Sequence, residues 1–175
     1  MKDRNFKISI EQLRKQINTN NVKIKNYKDI NCYAYALGLD IKENEIFDGA
    51  YEPGAISGAN NLLFSRFTYN ELLYWLYEDL KLLNIEYCDS YPDELIQNNE
   101  WKIAIFTEKL YCLKENEYLR DYHFLRESKS GIWYHKLGWD SQPTNKDSNY
   151  KVIKNVEECC IGQYTYKKCL KLKLK

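Results

Sequence analysis

The sequence predicts an α+β fold, with helices in the first half and an antiparallel sheet in the second. Up to residue 84 apolar residues recur at helical spacing, and from residue 85 they alternate or run together in short β-rich stretches. Ser128-Lys129-Ser130-Gly131 has hairpin-turn chemistry and joins two of those stretches. Elements segregated in this way indicate α+β rather than repeating βαβ units. With 175 residues, 44% of them apolar, and only 7 Gly and 3 Pro, the chain is expected to fold as one domain over residues 1–175.

Residues 8–17 place Ile8, Ile10, Leu13 and Ile17 on one helical face, with Ser9 and Gln12 as a capping box. Residues 29–37 read as a buried helix entered at Asp29 or Asn31 and ended by Gly38. Residues 43–61 carry Asp48-Gly49, Pro53-Gly54 and Ser57-Gly58, and a loop of this length in a small domain is expected to border a site. The strongest helix follows. Thr68 and Glu71 form its capping box, and Leu72, Leu76, Leu80 and Leu83 line one face. Strands are expected at 85–88, 102–107, 121–127, 132–137, 151–153 and 164–172, the last running into a Lys/Leu alternation that reads as a charged edge strand.

Charge and composition narrow the function. Lys+Arg 26 against Asp+Glu 25 leaves +1, which argues against nucleic acid as a partner. The longest apolar run, residues 72–77, is far short of a membrane span, and the charged first residues lack a signal-peptide core. The expectation is a cytoplasmic protein with no membrane partner. Six scattered cysteines, without a C-x-x-C pair and with only two histidines, do not suggest a metal site. Cys88 and Cys112 read as buried filler, while Cys159, Cys160 and Cys169 could pair only in an oxidising compartment.

The two histidines, His123 and His135, lie on the two arms of the expected hairpin. Placed opposite each other about residue 129, they would share a face and hydrogen-bond, giving a base oriented by a second polar group. The alternative is two unrelated histidines, one on the surface and one packed on Trp133 or Tyr134. Cys32, in the first turn of the helix at 29–37, is the candidate nucleophile, because unpaired N–H groups at a helix start favour thiolate over thiol. Asn31 could donate to an oxyanion or simply cap the helix. Asp121, two residues before His123, should share its strand face and could order the site. Pro53, Gly54, Ser57 and Gly58 of the long loop, with Trp133 and Trp139 flanking His135, are the candidate cleft-lining residues.

The order helix-start Cys32, strand His123, next-strand His135 resembles the papain-like cysteine peptidase superfamily, and specifically its NlpC/P60 branch. The strings NCYAYALG, PGAISG, DYHFLRESKSGIWYHKLG and PTNKDS are similar to those of a little-characterised bacterial and phage group of such domains. Tyr134 and Leu137 stand where that group tends to carry Ser and Pro. The resemblance implies a papain-like fold and a thiol-dependent hydrolase acting on an amide, peptide or isopeptide bond. In that scheme Cys32 is the nucleophile, His123 the base and His135 the orienting residue, with Cys32 and His123 within hydrogen-bond reach and no cofactor required. The partner would be a peptide or protein, peptidoglycan stem peptides included. The same acyl-enzyme captured by an amine would make an acyltransferase, and the same shell without catalysis would make a binding, inhibitory or effector module.

Overall fold

A computed structural model describes residues 9–20, 22–41, 52–59, 67–109, 118–138 and 140–175. Among the described residues it is a mixed α+β structure in which three α-helices pack on one face of a six-stranded sheet. Helix α1 is Ile10–Lys15, and its expected capping box forms in both directions, Gln12 N donating to Ser9 Oγ and Ser9 N donating to Gln12 Oε1. Ile8 lies outside the described residues. The segment expected as one helix from residue 29 is split. A 3-10 turn at Tyr27–Asp29 precedes α2, Cys32–Ala36, and Asn31 rather than Asp29 caps it. Helix α3, Tyr69–Leu82, starts at the Thr68–Glu71 box and buries Leu72, Trp75, Leu76, Asp79 and Leu80.

The strands are β1 (Phe67–Thr68), β2 (Ile85–Ser90), β3 (Glu100–Lys109), β4 (Tyr118–Glu127), β5 (Trp133–His135) and β6 (Thr165–Leu174). Their order is β1-β4-β3-β6-β2, and β5 pairs with β4 beyond the end of β1. Residues 151–153 form only an isolated bridge from Val152 to Lys146, not a strand. The lysine-rich end is not an edge: β6 lies between β3 and β2, because Leu170 and Leu172 are core residues whose burial needs neighbours on both sides.

Strand β3 is the spine, buried along all but its last residue. Trp101, Ile103 and Ile105 point into the core under the helices, while Ala104 and Phe106 point into a second core with Leu125, Trp133, Ile153, Val156 and Ile161. Complete burial of such side chains contributes about 1.5–3 kcal/mol each, and the two cores sandwich the sheet. A bulge in β4 sets which residues face which core. Glu108 pairs with Asp121 but Lys109 with Leu119, so Arg120 is passed over and the alternation shifts. Leu119 and Phe124 therefore face the helices, whereas Leu125 faces the second core.

The N-terminal segment is held against β4 at Gly38. Its φ is +81°, and a Cβ there would lie 2.7 Å from the Asn18 carbonyl oxygen and 2.6 Å from Arg126 Nη1. Only glycine tolerates both constraints. Arg126 reaches across, donating from Nη2 to the same Asn18 oxygen and lying over the Trp101 ring at 5.7 Å. Among the described residues no helix is long and apolar enough to cross a membrane.

Candidate active site

The hairpin that carries the histidines forms, but its register differs from the expected one. Ser128 N donates to the Ile132 oxygen and leaves a three-residue loop, Lys129 to Gly131, closed by Gly131 at φ +76°. The centre is Ser130, so His135 pairs with Leu125 and sits diagonally across from His123. Diagonal neighbours on one face remain within reach of long side chains. His123 Nε2 and His135 Nδ1 are 2.9 Å apart, with the rings at 89°.

The chain of contacts fixes the protons. His135 Nε2 lies 2.8 Å from the Lys146 carbonyl oxygen, and a carbonyl can only accept, so Nε2 carries the hydrogen. Burial lowers the His135 pKa, against a smaller raising by the Lys146 carbonyl and Asp147. The ring is neutral at pH 7, and its Nδ1 is a bare acceptor. His123 must then donate from Nε2, which leaves His123 Nδ1 bare as well. Burial, reinforced by His135, lowers the His123 pKa from 6.5 to about 3, so this nitrogen is an unprotonated base. His135 is itself anchored by two main-chain bonds to Thr144, which fixes the donor-acceptor chain in place.

Cys32 starts α2, and its thiol reaches the Phe124 main chain on β4, between the residues paired with β1 and those paired with β5. Its surroundings correct the expected thiolate. The side chain is 8% exposed, and burial pushes the thiol pKa up to about 12; the carboxylates of Asp121 and Glu52 add to the rise. The Phe124 main chain and the Cys32 main chain work in the opposite direction and are outweighed. Five helical residues supply too little dipole to offset desolvation of a charged sulfur. Among the described residues Cys32 forms no hydrogen bond to His123. Its polar contact on β4 is the neighbouring Phe124 main chain, and the resting pair is neutral thiol and neutral imidazole.

The remaining candidates separate into those at the site and those outside it. Asp121 follows the expected face: its Oδ2 accepts from Tyr164 OH at 2.5 Å, and the Tyr164 ring lies 5.4 Å from the His123 ring. Asn31 acts as a cap, its Oδ1 accepting from Ala34 N at 3.0 Å. Trp133 is not cleft-lining; it is wholly buried in the second core under Lys102, because it shares the inward face with Leu125. Trp139 lies outside the described residues, as do Cys112 and residues 48–51 of the long loop. Cys88 is exposed on β2 rather than buried filler, since β2 is the last strand of the sheet and that side chain points outward. The five described cysteines are free thiols, and among the described residues no cluster of His, Cys, Asp and Glu is arranged to hold a metal ion.

The described part of the loop packs around Asp79, a residue sequence reasoning passed over. Asp79 is wholly buried and accepts from Gly54 N at 2.8 Å, Ser57 N at 2.6 Å and Tyr33 OH at 2.8 Å. Gly54, at φ +82°, allows the turn from Pro53 to Gly58 to close over that carboxylate. One buried acceptor thus ties the loop, α3 and the residue after Cys32 together. Loop residue Glu52 accepts from Tyr122 OH at 2.6 Å and lies within electrostatic reach of Cys32. The signal for Asp79 was present, since it interrupts the apolar stripe of Leu72, Leu76 and Leu83. The Lys146 carbonyl has no signature in any side chain.

A buried cysteine and a histidine pair with a defined proton direction are groups that nucleophilic acyl chemistry can use. Comparisons with protein-family models, with curated proteins and with solved structures return no match to this chain.

Proposed function

We propose that the protein is a thiol-dependent hydrolase of amide, peptide or isopeptide bonds, with Cys32 as nucleophile, His123 as base and His135 as orienting residue. The observation that carries this reading is the proton order from His123 through His135 to the Lys146 carbonyl, which leaves the His123 Nδ1 lone pair unused. A papain-like arrangement of the NlpC/P60 type, suggested by the NCYAYALG and DYHF strings, calls for the same orientation of base and helix-start cysteine.

In the proposed reaction the Cys32 S–H bond breaks as sulfur attacks the carbonyl carbon, and the proton passes to His123 Nδ1. The imidazolium keeps its Nε2–H bond to His135, which holds the ring while the charge exists. Collapse of the tetrahedral intermediate expels the amine, which takes the proton from His123. Water, activated by the same Nδ1, then releases the acyl group and regenerates the thiol. Because the resting pair is neutral, proton transfer accompanies attack rather than preceding it.

The substrate arm of the test uses peptidoglycan sacculi and a library of internally quenched peptides, with new amino termini as the readout. Wild-type protein is expected to release them, whereas Cys32→Ala and His123→Ala should fall by on the order of a thousandfold. A second reading, a binding module with the same shell, is favoured by one observation, the buried and strongly raised Cys32 thiol. It predicts that Cys32→Ala retains full biological function.

A further inference from the structure

Residues 144–164 touch the histidine pair at both of their ends, a relation that the Cys-His-His scheme does not use. At the start, Thr144 exchanges two main-chain bonds with His135, at 2.9 and 2.8 Å, and the Lys146 carbonyl accepts from His135 Nε2 at 2.8 Å. At the end, the Tyr164 ring lies 5.4 Å from the His123 ring, tilted by 38°. Hydrogen bonds tie the two ends together. Asp147 Oδ2 accepts from Cys160 N at 3.3 Å, the Cys160 oxygen accepts from Ser148 N at 2.8 Å, and Ser148 Oγ accepts from Gly162 N at 2.7 Å. Ile153, Val156 and Ile161 anchor the segment in the second core. Tyr164 is fixed in turn by its hydroxyl, which donates to Asp121 Oδ2 at 2.5 Å on the strand that carries His123.

We propose that Tyr164 is a positioning residue for His123, and that residues 144–164 act as one clamp on both imidazole rings. The inference deepens the hydrolase reading and rests on His123 being its base. A single hydrogen bond from His123 Nε2 to His135 leaves the His123 ring free to rock about that bond. A second contact removes that freedom. His135 holds the Nε2 edge, with the rings at 89°, and Tyr164 stands alongside at 38°, so the two block different motions. The ring nitrogen outside the His135 bond is Nδ1, the one that receives the proton in the proposed reaction. An aromatic residue has a further consequence here. The imidazolium formed during attack carries its charge 5.4 Å from a phenol ring, inside the range of about 6 Å over which a cation is attracted to an aromatic face. The Asp121 carboxylate behind the Tyr164 hydroxyl adds to that attraction.

The test is the exchange with water of the His123 Nε2 hydrogen at pH 7, read by NMR on protein labelled with heavy-nitrogen histidine, in which only His123 and His135 give signals. The wild type is expected to show both rings protonated at Nε2, with the His123 hydrogen protected. Tyr164→Leu should quicken its exchange by about tenfold or more, because the ring gains room to rock out of its bond. Tyr164→Phe and Asp121→Ala keep an aromatic ring but cut its tether, and each should quicken the exchange by about threefold. The His135 main-chain N–H, bonded to Thr144, is the control and should exchange as in wild type in all three. Wild-type exchange of the ring hydrogen in Tyr164→Leu overturns the proposal. So does loss of ring and main-chain protection together, which would make Tyr164 a packing residue only. If Tyr164→Leu does not fold, Asp121→Ala decides, since Asp121 is exposed, and wild-type exchange there overturns the proposal. No substrate enters the measurement. A wild-type His123 protonated at Nδ1 instead would sink the proton order of the hydrolase reading and this inference with it; the expected tautomers with unaltered exchange in the variants would sink this inference alone.

Discussion

The two sides of the sheet hold their cysteines in opposite environments. On the β4 side, Cys32 is buried within electrostatic reach of Asp121, Glu52 and Tyr164, and the neutral histidine pair is carried by β4 and β5. At the β2 edge, Cys88 is exposed in an open groove of about 670 Å³ walled by the Tyr77 and Tyr87 rings, stacked 4.4 Å apart. That groove is rimmed by Lys81, Lys171, Lys173 and Lys175 with Glu78, Glu86 and Glu100. It contains no histidine to receive a proton. A thiol in water needs no base to label and has none to direct it; a buried thiol depends on a base within reach.

The sharpest way to break this contrast is to loosen the frame that buries Cys32. Asp79→Ala leaves the Tyr33 hydroxyl and the Gly54 and Ser57 amides without their acceptor and should lower unfolding stability by about 2–4 kcal/mol in a denaturant titration. In the same variant, iodoacetamide should label Cys32 more nearly as it labels Cys88.

Changing the orienting residue sharpens the contrast from the other side. With an electrophilic peptide probe, His135→Ala should slow Cys32 modification by on the order of 10- to 100-fold, whereas His135→Asn, whose amide oxygen accepts from His123 Nε2, should stay within about tenfold of wild type. Cys88 labelling should be the same in both.

Acid should act on the β4 side selectively. The folded-state pKa of His123 lies below its ordinary value, 6.5 falling to about 3, so the unfolded chain binds the extra proton first. Its contribution to stability is complete above about pH 6.5 and is lost progressively as the pH falls through about 3, by up to about 1.4 kcal/mol per pH unit. His123→Gln should flatten that slope in urea titrations run from pH 7 to pH 4.

The smallest effect belongs to the groove. Lys175 and Glu86 pair at 2.9 Å with both side chains about half exposed, so Lys175→Ala should leave the denaturation midpoint unchanged at physiological salt.

What could be read from the sequence followed the range of the interaction. Both capping boxes were legible because Ser9 with Gln12 and Thr68 with Glu71 act within one turn. The histidine hairpin was legible too, but its register was not, since it depended on which residue adopts the left-handed conformation; Gly131 does so as the third residue of the loop and moves the centre to Ser130. Cys32, His123 and Asp121 could be singled out from residue type and strand alternation. The state of Cys32 could not, because burial by segments distant in sequence outweighs the local effect of the helix start. The roles of Tyr164 and the Lys146 carbonyl arise wholly from tertiary packing, and Trp133 was misassigned because flanking a histidine in sequence says nothing about which core a side chain enters.

The most direct test of the account is the site of covalent capture by a peptidyl acyloxymethyl ketone at pH 7, mapped by tandem mass spectrometry in wild type and His123→Ala. The account predicts modification of Cys32 in the wild type, loss of that adduct in His123→Ala, and little adduct at exposed Cys88 in either. Capture chiefly at Cys88, or equal capture of Cys32 with and without His123, would contradict it.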